Sequence, residues 1–197
     1  MDISHDNMCR IPLSRMVAGM ACLFSCALCC AAQELAVDNP YKIQAAFIRN
    51  FAHYVNWPEK SFTGDKESWR VCIAGPDPFG QVLEQTLKGR EEQGRAFSVI
   101  RSDDEDVLVQ CHIVFIAYKD AARRRSAMER LKRKPILLVG DSPEFLREGG
   151  VIAFQTSDRV RMGVNLDQAK AASLVIQTRM LEVSSEVLEN GSIHHLR

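Results

Sequence analysis

Two apolar runs, Cys111–Ala117 (CHIVFIA) and Pro135–Gly140 (PILLVG), constrain this chain more tightly than any other stretch. Neither alternates apolar with polar residues, so each reads as a strand buried on both faces, as in a parallel sheet. Between them lies the basic segment Asp120–Arg133, a predicted helix with Ala121, Ala122, Met128 and Leu131 available for packing. Trp69–Ala74 (WRVCIA) and Arg95–Arg101 (RAFSVIR) add two strands, joined by a short helix carrying Val82, Leu83 and Leu87. Strands alternating with short helices predict an α/β domain with a largely parallel sheet flanked by helices.

The ends of the chain carry other patterns. In Tyr41–Pro58 (YKIQAAFIRNFAHYVNWP), Ile43, Phe47, Phe51, Tyr54 and Val55 recur at helical spacing and predict a long amphipathic helix with a buried aromatic face. Asn39-Pro40 starts it, because asparagine caps free N–H groups and proline at the first position loses none. Trp57-Pro58 stops it, because the residue before a proline is driven out of the helical region. Asp77-Pro78 and Ser142-Pro143 repeat the cap-plus-proline start. Near the C-terminus, Val151–Gln155 and Val160–Leu166 predict an antiparallel hairpin. In its second strand Val160, Met162, Val164 and Leu166 alternate with Arg159, Arg161, Gly163 and Asn165. Asp167 is the expected cap of a helix over Gln168–Ala172. Leu174–Ile176 interrupts it before a last helix carrying Met180, Leu181, Val183, Val187 and Leu188.

Met1–Ala32 reads differently. Arg10 and Arg15 precede an uncharged run, and Cys30-Ala31-Ala32 places small residues before Gln33, so residues 1–32 are expected to be a secretory signal peptide and 33–197 the domain. An uncleaved anchor and a lipoprotein cleavage at Cys26 are the alternatives. Cys9, Cys22, Cys26, Cys29 and Cys30 belong to that leader, and Cys72 and Cys111 remain. Two cysteines in an oxidising compartment make a pair the default, and a β-α-β step between their strands makes neighbouring positions plausible. With 25 basic and 25 acidic residues, the chain has no overall field that would favour nucleic acid.

The first helix and the blocks after it resemble the YfiR family. The helix reads Y-K-x-x-A-A-F-x-x-N-F, followed by W-P. Then come V-C-I-A-G-x-D-P-F-G (71–80), C-H-I-V-F-I (111–116), G-G-V-I-x-F (149–154) and R-x-x-V-N-L-x-x-A (161–169). Ser173 stands where a glycine is more usual, and Gly163 replaces a bulkier or acidic residue. The resemblance implies a periplasmic regulator that represses the periplasmic sensor portion of an inner-membrane signalling protein, a diguanylate cyclase in the best-known members. It points to a Cys72–Cys111 disulfide and to a role near the membrane without insertion after cleavage, and is also compatible with a homodimer. Separately, no nucleophile and base converge in the sequence, so no enzymatic activity and no cofactor are expected. The expected partner surface is the C-terminal hairpin with the segment beyond it: Phe154, Arg161, Asn165, Leu166 and Leu174. Those apolar residues qualify only if exposed; buried, they are core. The rival reading is a periplasmic small-molecule-binding module using the crevice at the strands' carboxyl ends.

Other candidates have plainer readings. Gly75–Gly80 has the outer glycines of a phosphate loop, but Pro76 and Pro78 remove N–H groups and no Lys-Ser/Thr follows. Ser142 lacks a hydrolase's base and reads as a helix cap. His53, His112, His194 and His195 show no zinc-type spacing. The exported part has no C-x-x-C, which argues against thiol exchange. The cations of Lys119–Lys134 read as a solvated helix face balanced by Asp103–Asp106, with anionic headgroups or an acidic partner as the functional options.

Overall fold

The structure, a computed structural model, describes residues 39–64 and 66–196. The expected signal peptide lies outside them. Helix α1 (Pro40–Tyr54) is followed by β1 (Val55–Asn56), β2 (Trp69–Ala74), α2 (Val82–Leu87), β3 (Glu91–Glu92), β4 (Arg95–Arg101) and α3 (Glu105–Leu108). Then come β5 (Ile113–Ile116), α4 (Ala121–Leu131), β6 (Leu137–Gly140), β7 (Ile152–Thr156), β8 (Val160–Asn165) and α5 (Leu166–Ala171). The chain closes with β9 (Val175–Ile176), α6 (Thr178–Glu182), β10 (Glu186–Glu189) and β11 (Ser192–His195).

Nine strands form one sheet in the order β11-β10-β8-β7-β6-β5-β2-β4-β3. The block β4-β2-β5-β6-β7 is parallel throughout. Every residue of β5 and β6 is buried, as runs without alternation require. From β2 the chain moves one way through α2 to β4, and from β5 the other way through α4 to β6. Right-handed crossovers running in opposite directions put those helices on opposite faces. Cys72 in β2 and Cys111 just before β5 are joined by a disulfide, with Cα atoms 6.1 Å apart. The α/β expectation, with its largely parallel sheet and the antiparallel β7–β8 hairpin, is what the chain forms.

Four local expectations are corrected. Helix α1 ends at Tyr54, before Trp57-Pro58, because Val55–Asn56 pair antiparallel with Val175–Ile176. Its buried face is Gln44, Ala45, Ile48, Phe51 and Ala52; Ile43 is 38% exposed, and Phe47 and Tyr54 are only partly covered. The aromatic stripe therefore sits at the rim of the helix interface, with only Phe51 inside it. Helix α5 is capped by Asn165, whose Oδ1 accepts from the Gln168 N–H at 2.9 Å. Asp167 instead accepts the Asn190 and Gly191 N–H groups, both at 2.9 Å. The predicted last helix stops at Glu182, and Val187 and Leu188 lie in β10, parallel to β8. Asn190 and Gly191 both have positive φ, 52° and 73°, and turn the chain directly into β11. After Ser142-Pro143 the backbone makes successive turns and no helix.

Candidate functional site

Strand order reverses between β2 and β5, so a ligand crevice would open at their carboxyl ends. That space is filled by the chain itself. The Tyr118 ring lies so close to Gly75 that a Cβ there would meet its Cδ1 at 2.9 Å, and Gly75 has a φ of 95° that disfavours any side chain. The Tyr118 hydroxyl donates to Asp103 Oδ1 at 2.7 Å, and the Gly75 N–H donates to the same oxygen at 2.7 Å. These two donors hold the Asp103 carboxyl below its ordinary pKa, while burial and that carboxylate push the Tyr118 phenol up to about 12. Tyr41, Phe79 and Phe115 continue the plug edge to face. The Gly75–Gly80 loop is equally committed, since Arg101 donates to Asp77 at 2.7 Å and to the Gly80 carbonyl at 2.7 Å.

The residues expected to contact a partner separate into two groups. Phe154 is 2% exposed and stacks on Phe51 beneath α1; Leu174 is 3% exposed. Asn165 is 3% exposed, and its Nδ2 donates to the Leu146 carbonyl while its Oδ1 caps α5. Being buried, these three belong to the core: covering the sheet face with α1 and closing the β8–α5 junction needs their side chains inside. Leu166 is half-buried and packs against the core. Arg161 remains at the surface with 41% of its side chain exposed, held by Asp158 at 2.9 and 3.2 Å. Its Nε is covered and has no partner among the described residues, so only the outer end of the guanidinium faces solvent.

Around Arg161 the tertiary structure builds a groove of about 410 Å³, lined by Phe47 of α1, Val160 of β8, Val183 and Leu196, with Arg159 and Glu182 at its edge. Val183 is 64% exposed and Leu196 40%. Both are set outward by well-anchored backbone. Helix α6 ends at Glu182, and the buried Ser184 hydroxyl donates back to the Met180 carbonyl at 2.8 Å. Ser185 N–H donates to Met162, and Leu196 N–H to Ser185, each at 2.8 Å. Ile43 extends the apolar surface one helical turn before Phe47. Exposed apolar anchors with a charged rim on a fixed backbone are the ingredients of a protein contact.

Sequence reasoning missed Phe47 and Val183 because both sit in helical periodicities that assigned them to the core. Leu196 carried no signal. Gly163, flagged as unusual, faces Glu186, whose Oε1 would lie 2.8 Å from a Cβ at that position. The same Glu186 oxygen accepts from Gln155 Nε2 at 2.7 Å, so the glycine makes room for a carboxylate from the neighbouring strand. Ser173 has φ 58°, the left-handed conformation in which glycine is favoured.

Two buried titratable residues, His112 and Arg124, have structural partners. His112 accepts the Arg70 N–H at 3.0 Å and faces the Ser61 carbonyl at 3.0 Å, and burial pushes its pKa below 6.5. Arg124 is buried and paired with Glu148 at 2.5 and 2.8 Å. The basic segment is balanced only in part by the acidic cluster: among the described residues, Glu105 alone of that cluster pairs with it, reaching Arg130 and Lys134 at 3.8 Å. Among the described residues, no group of three or more His, Cys, Asp or Glu could hold a metal ion, and no helix is long and apolar enough to cross a membrane.

A family model described as YfiR/HmsC-like matches residues 41–185. No curated protein matches. Among solved structures, the crystal structure of a conserved domain protein from Vibrio cholerae superposes with a TM-score of 0.52 at 7% identity, covering 76% of this chain and 60% of that one. The chain thus spans about 60% of that protein's length, and the likeness concerns the fold alone. An ABC domain in complex with L-Trp from Streptococcus pneumonia overlaps at a TM-score of 0.44 and 9% identity, covering 76% of this chain and 60% of that one.

Proposed function

We propose, for a chain that belongs to the YfiR/HmsC-like family, that it is an exported regulator acting by protein binding, with the groove of Phe47, Val160, Val183 and Leu196 as its docking site. The family is regulatory and non-enzymatic. The partner we propose is the periplasmic portion of an inner-membrane signalling protein, a diguanylate cyclase by family precedent. The compartment we propose is the periplasm, reached by a signal peptide cleaved before Gln33. The observation that carries the docking site is the exposure of Val183 and Leu196 beside Phe47, on backbone pinned by Ser184 and Ser185. An inhibitor must bind the inactive state of its receptor more tightly than the active one, so loss of contact releases the receptor. The rival ligand-binding reading has its crevice occupied by Tyr118.

The test compares wild type, a deletion, Val183→Asp with Leu196→Asp, and Arg161→Glu, reading cyclic-di-GMP level in cells and crosslinking to membrane proteins. The double variant removes two exposed apolar anchors and should abolish repression while changing stability by less than about 0.5 kcal/mol. Arg161→Glu reverses a rim charge and should weaken repression, more so at low salt. Normal repression by a stably folded double variant overturns the groove as the site. A deletion without effect on cyclic-di-GMP overturns the cyclase as the target.

A further inference from the structure

A second pocket, remote in sequence from the docking groove, lies where α4 ends and β6 begins. It measures about 220 Å³ and its wall carries Lys132, Arg133, Lys134 and Arg147. The floor is Leu131, Ile136 and Val151, each no more than 2% exposed, so the apolar floor adds little accessible surface. Two carboxylates also line the pocket. Glu148 is locked to Arg124, and Glu129 is an exposed side chain that pairs with Lys132 at 3.2 Å. Among the described residues, Lys134 has only Glu105 at 3.8 Å, and Arg147 only Glu144 at 3.3 Å, in pairs exposed enough to be exchanged freely. Arg133 has no carboxylate partner among the described residues, and its φ of 60° is one that backbone preference alone would give to glycine.

We propose that this pocket binds a phosphate group through Arg133 and Arg147, with Lys132 and Lys134 completing the charge. Arg133 is without a carboxylate partner among the described residues and the other three cations sit in exposed pairs, whereas a phosphate offers several acceptor oxygens at once and matches the guanidinium fork two bonds at a time. The pocket is smaller than the ~300–1,000 Å³ of sites for larger ligands, so it takes the phosphate and the first atoms attached to it. Two sources share that chemistry: a soluble phosphate ester, or a phospholipid headgroup presented by a membrane.

The full exported protein is titrated with glycerol phosphate in one arm. In the other it is co-sedimented with vesicles of phosphatidylglycerol and phosphatidylcholine, against pure phosphatidylcholine. Arg133→Gly and Arg147→Gln should each weaken binding about tenfold, the scale of one lost charge-assisted contact. Arg133→Gly also relieves the left-handed backbone, so it should fold at least as stably as wild type, which separates binding from folding. Arg90→Gln, an exposed cation outside the pocket and the docking groove, should leave binding unchanged. Binding of glycerol phosphate assigns the soluble source; binding of anionic vesicles alone assigns the headgroup. Binding in neither arm, or binding as sensitive to Arg90→Gln as to Arg133→Gly, overturns the site.

Discussion

The parallel half of the sheet and its C-terminal half are built on different terms. In β4-β2-β5-β6-β7 the central strands are covered on both faces, the switch point is plugged by Tyr118, and a disulfide ties β2 to the segment before β5. In β8-β10-β11 the sheet is mixed: β8 runs antiparallel to β7, β10 parallel to β8 and β11 antiparallel to β10; the outer strand has four residues, and Val183 and Leu196 stand exposed beside it. The first half places its apolar residues inside and closes its own crevice. The second leaves apolar side chains outside on fixed backbone. The staple and the proposed contact surface therefore lie in different parts of one sheet. Surface changes in the C-terminal half should alter binding at little cost to folding, and interior changes in the parallel half should do the reverse.

The largest expected effect is on the parallel half. Replacing both Cys72 and Cys111 by serine frees a loop of 39 residues and should lower the unfolding free energy by about 4 kcal/mol, read by denaturant titration. If the comparison holds, the folded fraction of that variant still represses. An unchanged midpoint would mean that the staple adds nothing to an already closed half. Next comes His112. Burial keeps its folded pKa below 6.5, so the unfolded chain takes up the proton first as pH falls. Stability is fully present above about 6.5 and is lost progressively below it. His112→Gln, which keeps an acceptor and a donor, should flatten that loss below about pH 6.5. Equal slopes for the two proteins would place the sensitivity elsewhere. The smallest effect is in the C-terminal half: Ser173→Gly should raise stability by up to about 1 kcal/mol, because φ 58° strains serine and leaves glycine unstrained. A loss of stability would show that contacts of the Ser173 side chain outweigh its backbone strain.

Legibility followed the same division. Cys111–Ala117 and Pro135–Gly140 announced β5 and β6 because a strand buried on both faces needs an unbroken apolar run, and few other elements tolerate one. Asn39-Pro40 announced the start of α1 because capping is local chemistry, and Asn39 Oδ1 does accept the Tyr41 N–H at 3.1 Å. The β10–β11 hairpin was missed, because the apolar spacing of Met180, Val183 and Val187 reads as a helix; Asn190-Gly191, which turns the chain between the two strands, is the signal that spacing hid. The pairing of β10 with β8, and of β1 with β9, has no local signature, since each joins segments distant in the chain.

By itself, then, the sequence determined the alternating α/β plan, the interior strands and the family, because buried runs, caps and motif blocks are properties of short stretches. Which side of α1 is buried was decided only in three dimensions. The interface took Gln44, Ile48 and Phe51 and left Ile43 and Phe47 at its rim, because the helix docks with Phe51 stacked over Phe154 of β7 while Phe47 meets the same ring only obliquely. The groove proposed for docking is the product of that choice. It exists where a half-covered helix stripe, the start of β8, the end of α6 and the last residues of the chain meet, and no one of those segments specifies it.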